Sequence, residues 1–169
     1  MGGSGGGGRG LTYREEEALE NTARSSMRKA AEPEKHNVFI SFAMEDEKEV
    51  NLLRGQAKRE DSDLEFNDYS VKEAFDSKNA ENVRRGIREK IKQCSVILVF
   101  VSNDTGNSKW VDWEIRESFR LGKGVVAMYS GKTKPTNLPP AIEEFKVRLV
   151  PWKQKVITDA IHGAAQIRK

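Results

Sequence analysis

The sequence predicts an α/β domain over residues 36–169, built on a doubly wound, five-stranded parallel sheet. Three observations carry that prediction. From residue 37 onward, short apolar runs alternate with longer stretches of helical periodicity, the pattern of repeated βαβ units. The runs at residues 38–42 and 95–101 are almost continuously apolar, as strands covered on both faces are. At 169 residues the chain is of single-domain size and can bury a substantial core.

Residues 1–10 are almost all glycine, with too little apolar surface to offset chain entropy, and read as a flexible linker. Residues 11–35 form a separate extension. Glu15, Glu16 and Glu17 come early and Arg24, Arg28 and Lys29 late, the charge order a helix dipole prefers. Leu11, Ala18, Leu19, Ala23 and Met27 are sparse, so the expectation is a marginal helix, or a segment that orders only on a partner. Pro33 ends it.

Within the domain, residues 38–42 form the first strand. Val50, Leu53 and Ala57 recur at spacings of three and four and predict a helix over residues 47–59. Leu64 and Phe66 alternate with Glu65 and Asn67, which reads as a short strand near a sheet edge. After a long connection, Val83, Ile87 and Ile91 mark an amphipathic helix over residues 82–93, with Arg84, Arg85, Arg88 and Lys92 assigned to its wet face. Residues 95–101 are the central strand. A helix over residues 110–121 closes on Gly122, and a fourth strand follows at residues 124–129. A short helix over 141–145, a fifth strand over 147–150 and a last helix over 157–167 complete the order. Right-handed crossovers then give a flavodoxin-like sheet, whose site belongs at the carboxyl ends of the strands. That rim consists of residues 42–46, 68–77, 102–109 and 130–137.

Composition excludes several classes of function. Charged residues make up 33% of the chain with both signs interspersed, and the net charge of +3 lacks the one-sided basic cluster of a nucleic-acid binder. Cys94 is the sole cysteine, which removes disulfide frameworks and multi-cysteine metal sites. The longest apolar run is far short of the roughly 20 residues a membrane helix needs, and no signal-peptide pattern precedes it, so a cytoplasmic location is expected. No glycine-rich phosphate cradle follows the first strand. His36 and His162 stand at element ends and are expected to face solvent, and no metal site is expected.

What remains is a carboxylate in an aromatic setting. Glu114 lies four residues after Trp110 and one after Trp113, and residues four apart share a helix face. A carboxylate beside an indole is partly desolvated and stabilises developing positive charge better than one in water. By spacing alone, an acid placed near a helix start by the dipole is the stronger reading. Asp68, Tyr69 and Ser70 are ligand contacts or turn formers, with the turn favoured. Trp113 and Phe119 read equally well as core.

These residues also carry a family resemblance. HNVFISF at residues 36–42 resembles the first-strand motif of the TIR superfamily, and SKWVDWEI at residues 108–115 is similar to its Ser-x-Trp-Cys-x-x-Glu-Leu pattern. Glu114 falls on the family's catalytic glutamate and Trp110 on its tryptophan. FNDYSVKEA at residues 66–74 resembles the second-strand end of the bacterial branch that includes Thoeris anti-phage defence proteins. Val111 replaces a cysteine of plant-type members, and residues 68–80 lack the Arg-Asp-x-x-Pro-Gly stretch of receptor adaptors. Both departures count against adaptor signalling more than against catalysis.

The resemblance implies cleavage of the nicotinamide–ribose bond of NAD, with NAD as substrate and no separate cofactor. It implies Glu114 as the catalytic acid and Phe42 and Trp110 around the nicotinamide or ribose. Asp68, Ser70, Ala43 and Asn103 would be further substrate contacts. It also implies self-association through TIR–TIR contacts and a downstream effector reached by a small-molecule signal, with no nucleic-acid or membrane partner. Two rivals stay open: a non-catalytic oligomerisation module, and an enzyme like the nucleoside deoxyribosyltransferases, which also use a glutamate on a similar sheet.

Overall fold

The computed structural model describes residues 10–31, 36–59, 64–68 and 73–166. The chain divides into two units between residues 34 and 35. The expectations for the glycine-rich tail, apart from Gly10, and for Pro33 lie outside the described residues.

The first unit contains the helix α1 (Tyr13–Ala31). Its start carries half of a capping box, which apolar spacing does not reveal. Glu15 reaches back to accept from the Thr12 backbone N–H at 2.7 Å, a donor the helix start leaves without an intrahelical partner, and from the Thr12 hydroxyl at 2.9 Å.

The second unit is the doubly wound sheet. Its elements are β1 (His36–Ser41), α2 (Glu47–Arg59), β2 (Leu64–Asn67), α3 (Ala80–Gln93), β3 (Val96–Phe100), α4 (Lys109–Arg120), β4 (Gly124–Tyr129), α5 (Pro140–Glu144), β5 (Arg148–Pro151) and α6 (Gln154–Gln166). All pairings are parallel and the strand order is β2-β1-β3-β4-β5. β3, whose residues are all buried, is central, and β2 lies at an edge. Among the described residues no helix is long and apolar enough to cross a membrane.

Strand residues alternate between two apolar layers. Val38 and Ile40 join α2 and α6 on one side, through Val50, Leu53, Ile157 and Ile161. Phe39 faces the other side, where Val83, Ile87 and Ile91 of α3, Val111 and Ile115 of α4, and Ile142 of α5 pack. The layers follow from right-handed crossovers, which put α2 on one face and α3, α4 and α5 on the opposite one. Between them they remove nearly every β1 and β3 side chain from water, the dominant favourable contribution to folding.

Several expected boundaries shift, each for a local reason. Phe42 leaves the first strand, which ends at Ser41. α6 begins at Gln154, upstream of its first buried residue, because Gln154 and Lys155 contribute backbone without adding to an apolar pattern. At the end of α4, Gly122 has φ 67°, the Gly122 N–H donates to Phe119 O and the Lys123 N–H to Ser118 O. That is a Schellman cap, and the left-handed residue it requires is why glycine stands there.

Two expectations are corrected. The basic side of α3 is not wholly a wet face. Arg85 and Lys92 are exposed, but Arg84 lies 4.5 Å over the Phe75 ring and 5.5 Å over Trp110, and Arg88 lies 5.4 Å over Trp113. Arg88 Nε also donates at 2.8 Å to the buried Glu117, whose carboxyl Arg120 and Arg88 together hold below its ordinary value. The cause is the packing of α3 beside α4, which turns part of its basic row toward indoles and a buried acid. His36 and His162 are likewise half-buried rather than solvent-facing. Their rings meet tilted at 57°, with centroids 4.8 Å apart, so α6 brings His162 against the first residue of β1.

Candidate active site

The alternation that puts Phe39 in the α3–α4 layer puts Ser41, two residues on, under α4 as well. On α4 the inward residues are Val111, Glu114, Ile115 and Ser118, at spacings of three and four around one face. The Ser108 hydroxyl sets the phase of the helix by accepting from the Val111 N–H at 3.3 Å. Glu114 is therefore carried into the layer and is only 4% exposed.

There it accepts a short hydrogen bond from the Ser41 hydroxyl, across 73 residues of sequence. Ser118 Oγ donates to the Glu114 backbone carbonyl at 2.6 Å. Burial drives the Glu114 carboxyl up from its ordinary 4.5 to about 8; the Ser41 hydroxyl opposes that shift and the negative charge of Asp68 adds to it. A carboxyl raised this far is largely protonated at neutral pH.

Ser41 ends β1, whose neighbours are β2 and β3. Chain direction across the sheet reverses between β1 and β3, so the acid stands at the topological switch point, where doubly wound sheets open a crevice. Asp68 directly follows β2 and is held by Arg54 of α2 at 2.8 Å. Phe42 and Ala43 continue from Ser41. Phe42 packs against the α2–α6 layer, and Ala43, 3% exposed, accepts from the Asp46 N–H at 2.9 Å through its carbonyl.

The remaining expected contacts lie further out. Trp110 is half-buried on the α3 side: its indole N–H donates to Glu73 O at 2.8 Å, and its ring meets Phe75 edge-on at 5.0 Å. Helical spacing puts it near Glu114, but the contacts that hold it belong to α3 and the segment before it. Asn103 is exposed in the turn after β3, where its carbonyl accepts from Asn137 Nδ2 at 3.3 Å. Ser70 lies outside the described residues. Trp113 and Phe119 are half-buried against the α3–α4 core.

Three members of the site were missed by sequence reasoning. Ser41 was visible as the polar end of an apolar strand, but its partner was not. Arg54 sits on α2 with nothing local to mark its pairing with Asp68. Asp46 is 5% exposed and accepts from Ser102 Oγ at 2.7 Å and Thr105 Oγ1 at 3.4 Å, joining the loops after β1 and β3. Burial holds its carboxyl above the ordinary value.

The same rim explains Gly106. A Cβ there would stand 2.4 Å from the Asn137 side chain and 2.6 Å from its backbone oxygen, so only glycine lets the two loops close. Gly106→Ala is expected to destabilise the fold by about 1–3 kcal/mol, the usual cost of overpacking, as a lowered midpoint in urea unfolding with an unchanged slope. A cavity of about 360 Å³ opens nearby, between Phe75, Ser108, Trp113 and Pro140, but Glu114 does not line it. Among the described residues no group of His, Cys, Asp and Glu is arranged to hold a metal ion.

Residues 39–135 match the family model for the TIR-like domain of Thoeris protein ThsB. Among curated proteins, none matches the chain. Three solved structures superpose at modest scores. The CMP N-glycosidase BcmB of Clostridium botulinum has a TM-score of 0.47 and 16% identity, over 75% of this chain and 98% of its own. The TIR domain of the Toll-related receptor TRR-2 of Hydra magnipapillata has a TM-score of 0.46 and 17% identity, over 75% and 91%. The TIR domains of the activated Roq1 resistosome have a TM-score of 0.42 and 17% identity, over 78% and 84%. The sequence match covers more than half of the chain and includes Ser41, Asp68 and Glu114; the chain belongs to the Thoeris ThsB family of TIR-like domain proteins.

Proposed function

We propose that the TIR-like unit cleaves the bond between nicotinamide and ribose in NAD, giving ADP-ribose or a cyclic ADP-ribose-type signal. A downstream effector would read that signal in anti-phage defence. The observation that carries the proposal is the buried Glu114 carboxyl, held by Ser41 at the switch point of the sheet, inside the segment that matches the family.

The chemistry asks for such a group. When the C1′–N bond breaks, its electron pair leaves with nicotinamide, which becomes neutral, and the positive charge passes to the ribose ring. A carboxylate in a water-poor setting stabilises that charge far more than one in bulk solvent. The incoming nicotinamide ring is itself cationic and favours ionisation of Glu114 on binding. Water or an adenine nitrogen then attacks C1′, and loss of a proton completes hydrolysis or cyclisation. Ser41 orients the acid, Asp68 adds its charge beside it, and Phe42, Ala43, Trp110, Asn103 and Ser70 are assigned to the substrate further out.

The test is chromatography of NAD incubated with the protein at high and low concentration, following nicotinamide and the ADP-ribosyl product. Nicotinamide release by the wild type, lost in Glu114→Ala, is the expected result. Equal rates for both proteins, or no release at either concentration, would overturn the enzymatic reading and leave a non-catalytic interaction module.

A further inference from the structure

The rim of strand ends carries a second concavity, which Glu114 does not line. It is a cavity of about 440 Å³ lined by Gln56 of α2, Ser130 and Gly131 after β4, and Trp152 and Gln154 after β5. Trp152 is half-buried on the α2–α6 layer and meets Phe100 edge-on at 6.0 Å, which fixes the plane of its indole. Ser130 Oγ donates to the Glu49 carboxylate at 3.0 Å. Gly131 has φ 91°, and a Cβ there would meet nothing within 4 Å, so the mouth stands open.

These groups suit a nucleotide base and its ribose. An indole face stacks on any base, and a glutamine amide sets a donor beside an acceptor, the pair that N7 and the N6 amino group of adenine demand. The Glu49 carboxylate can accept from ribose hydroxyls. Lys132 and Lys153, both exposed, follow Gly131 and Trp152 in the chain and bring positive charge for phosphates. Ser41 is in register with Val99, Ala127 and Leu149, so the ends of β4 and β5 stand two and three strand spacings from it, about 10 and 14 Å. An extended dinucleotide covers such a distance. Phe42, next after Ser41, is half-buried in the same layer as Trp152.

We propose that the Trp152 pocket holds the adenylate half of NAD while Glu114 serves the ribose that loses nicotinamide. Adenine stacks on the indole, the glutamine amides read its edge, and the pyrophosphate passes Phe42 on its way back to the acid. The assignment rests on NAD as substrate, but the affinity of the pocket for adenylate does not require turnover.

Nicotinamide mononucleotide carries the same scissile bond and no adenylate, so comparing it with NAD tests the pocket. Trp152→Ala is expected to raise the KM for NAD on the order of tenfold with kcat little changed, the signature of lost uniform binding, and to leave the KM for the mononucleotide where it was. A fold defect would move both. Trp152→Phe keeps an aromatic face and is expected to recover most of the loss, and Gln56→Ala, at an exposed position, to raise the KM for NAD alone. Calorimetric titration with AMP reads binding without turnover: AMP binds the wild type, and Trp152→Ala weakens it on the order of tenfold. NAD cleavage with either KM or AMP binding indifferent to Trp152→Ala, or with both substrates affected alike, would overturn the pocket and leave the activity standing. Trp152-dependent AMP binding by a protein that releases no nicotinamide would keep the pocket and remove the activity.

Discussion

Glu114→Gln is expected to lower kcat/KM for NAD cleavage on the order of a thousandfold, the scale of removing one preorganised group that stabilises transition-state charge in a water-poor site. Glutamine keeps the size of the side chain and can still accept from Ser41 Oγ, the bond that places Glu114 under β1. The native carboxyl is uncharged up to about pH 8, so an amide of the same shape should leave the fold intact near pH 6 and make the loss a matter of chemistry. The wild-type pH profile carries a second signature. Only the ionised acid can face a ribosyl cation, so kcat/KM should rise tenfold per pH unit below about 8 and level off above it, since that ratio reports ionisations of the free enzyme. A profile flat between pH 5 and 8, or a variant as active as the wild type, would remove Glu114 from the reaction.

The same burial predicts that the wild type loses stability as pH rises from 5 to 8.5. The Glu114 carboxyl releases its proton near 4.5 in the unfolded chain but near 8 in the folded one. Between those values the folded state binds more protons, and stability falls with pH wherever that holds. The contribution is fully present below pH 4.5, declines across the window and is gone above about 8, for a total on the order of a few kcal/mol. Asp46, also raised by burial, loses stability with pH in the same direction, so the diagnostic quantity is the difference between proteins. Urea unfolding of wild type and Glu114→Gln should give similar stabilities near pH 5 and a clear advantage for the glutamine variant at pH 8.5. Parallel curves would show that the acid is solvated and not held in the layer.

How much of this was legible in the sequence depends on whether a feature is set by neighbours along the chain. Apolar runs and helical spacing are local, and they marked every strand, the central position of β3, the edge position of β2 and the parallel, doubly wound order. The Gly122 cap was readable for the same reason. The half capping box at Thr12 is equally local, but it is made of polar residues and leaves no mark on the apolar pattern. Glu114 stood out through the motif it shares with the family, since its spacing by itself favours a dipole-placed surface acid.

By itself, then, the sequence determined which segments pair and pack, because backbone periodicity and side-chain polarity are properties of consecutive residues. The tertiary structure decided the state of the polar groups. Glu114 meets Ser41 across 73 positions, Arg54 meets Asp68 from another element, and Arg88 turns toward Glu117 instead of water. Solvation and charge respond to whatever lies within a few ångströms in space. No pattern along one helix can report what the neighbouring strand or helix will bring to it.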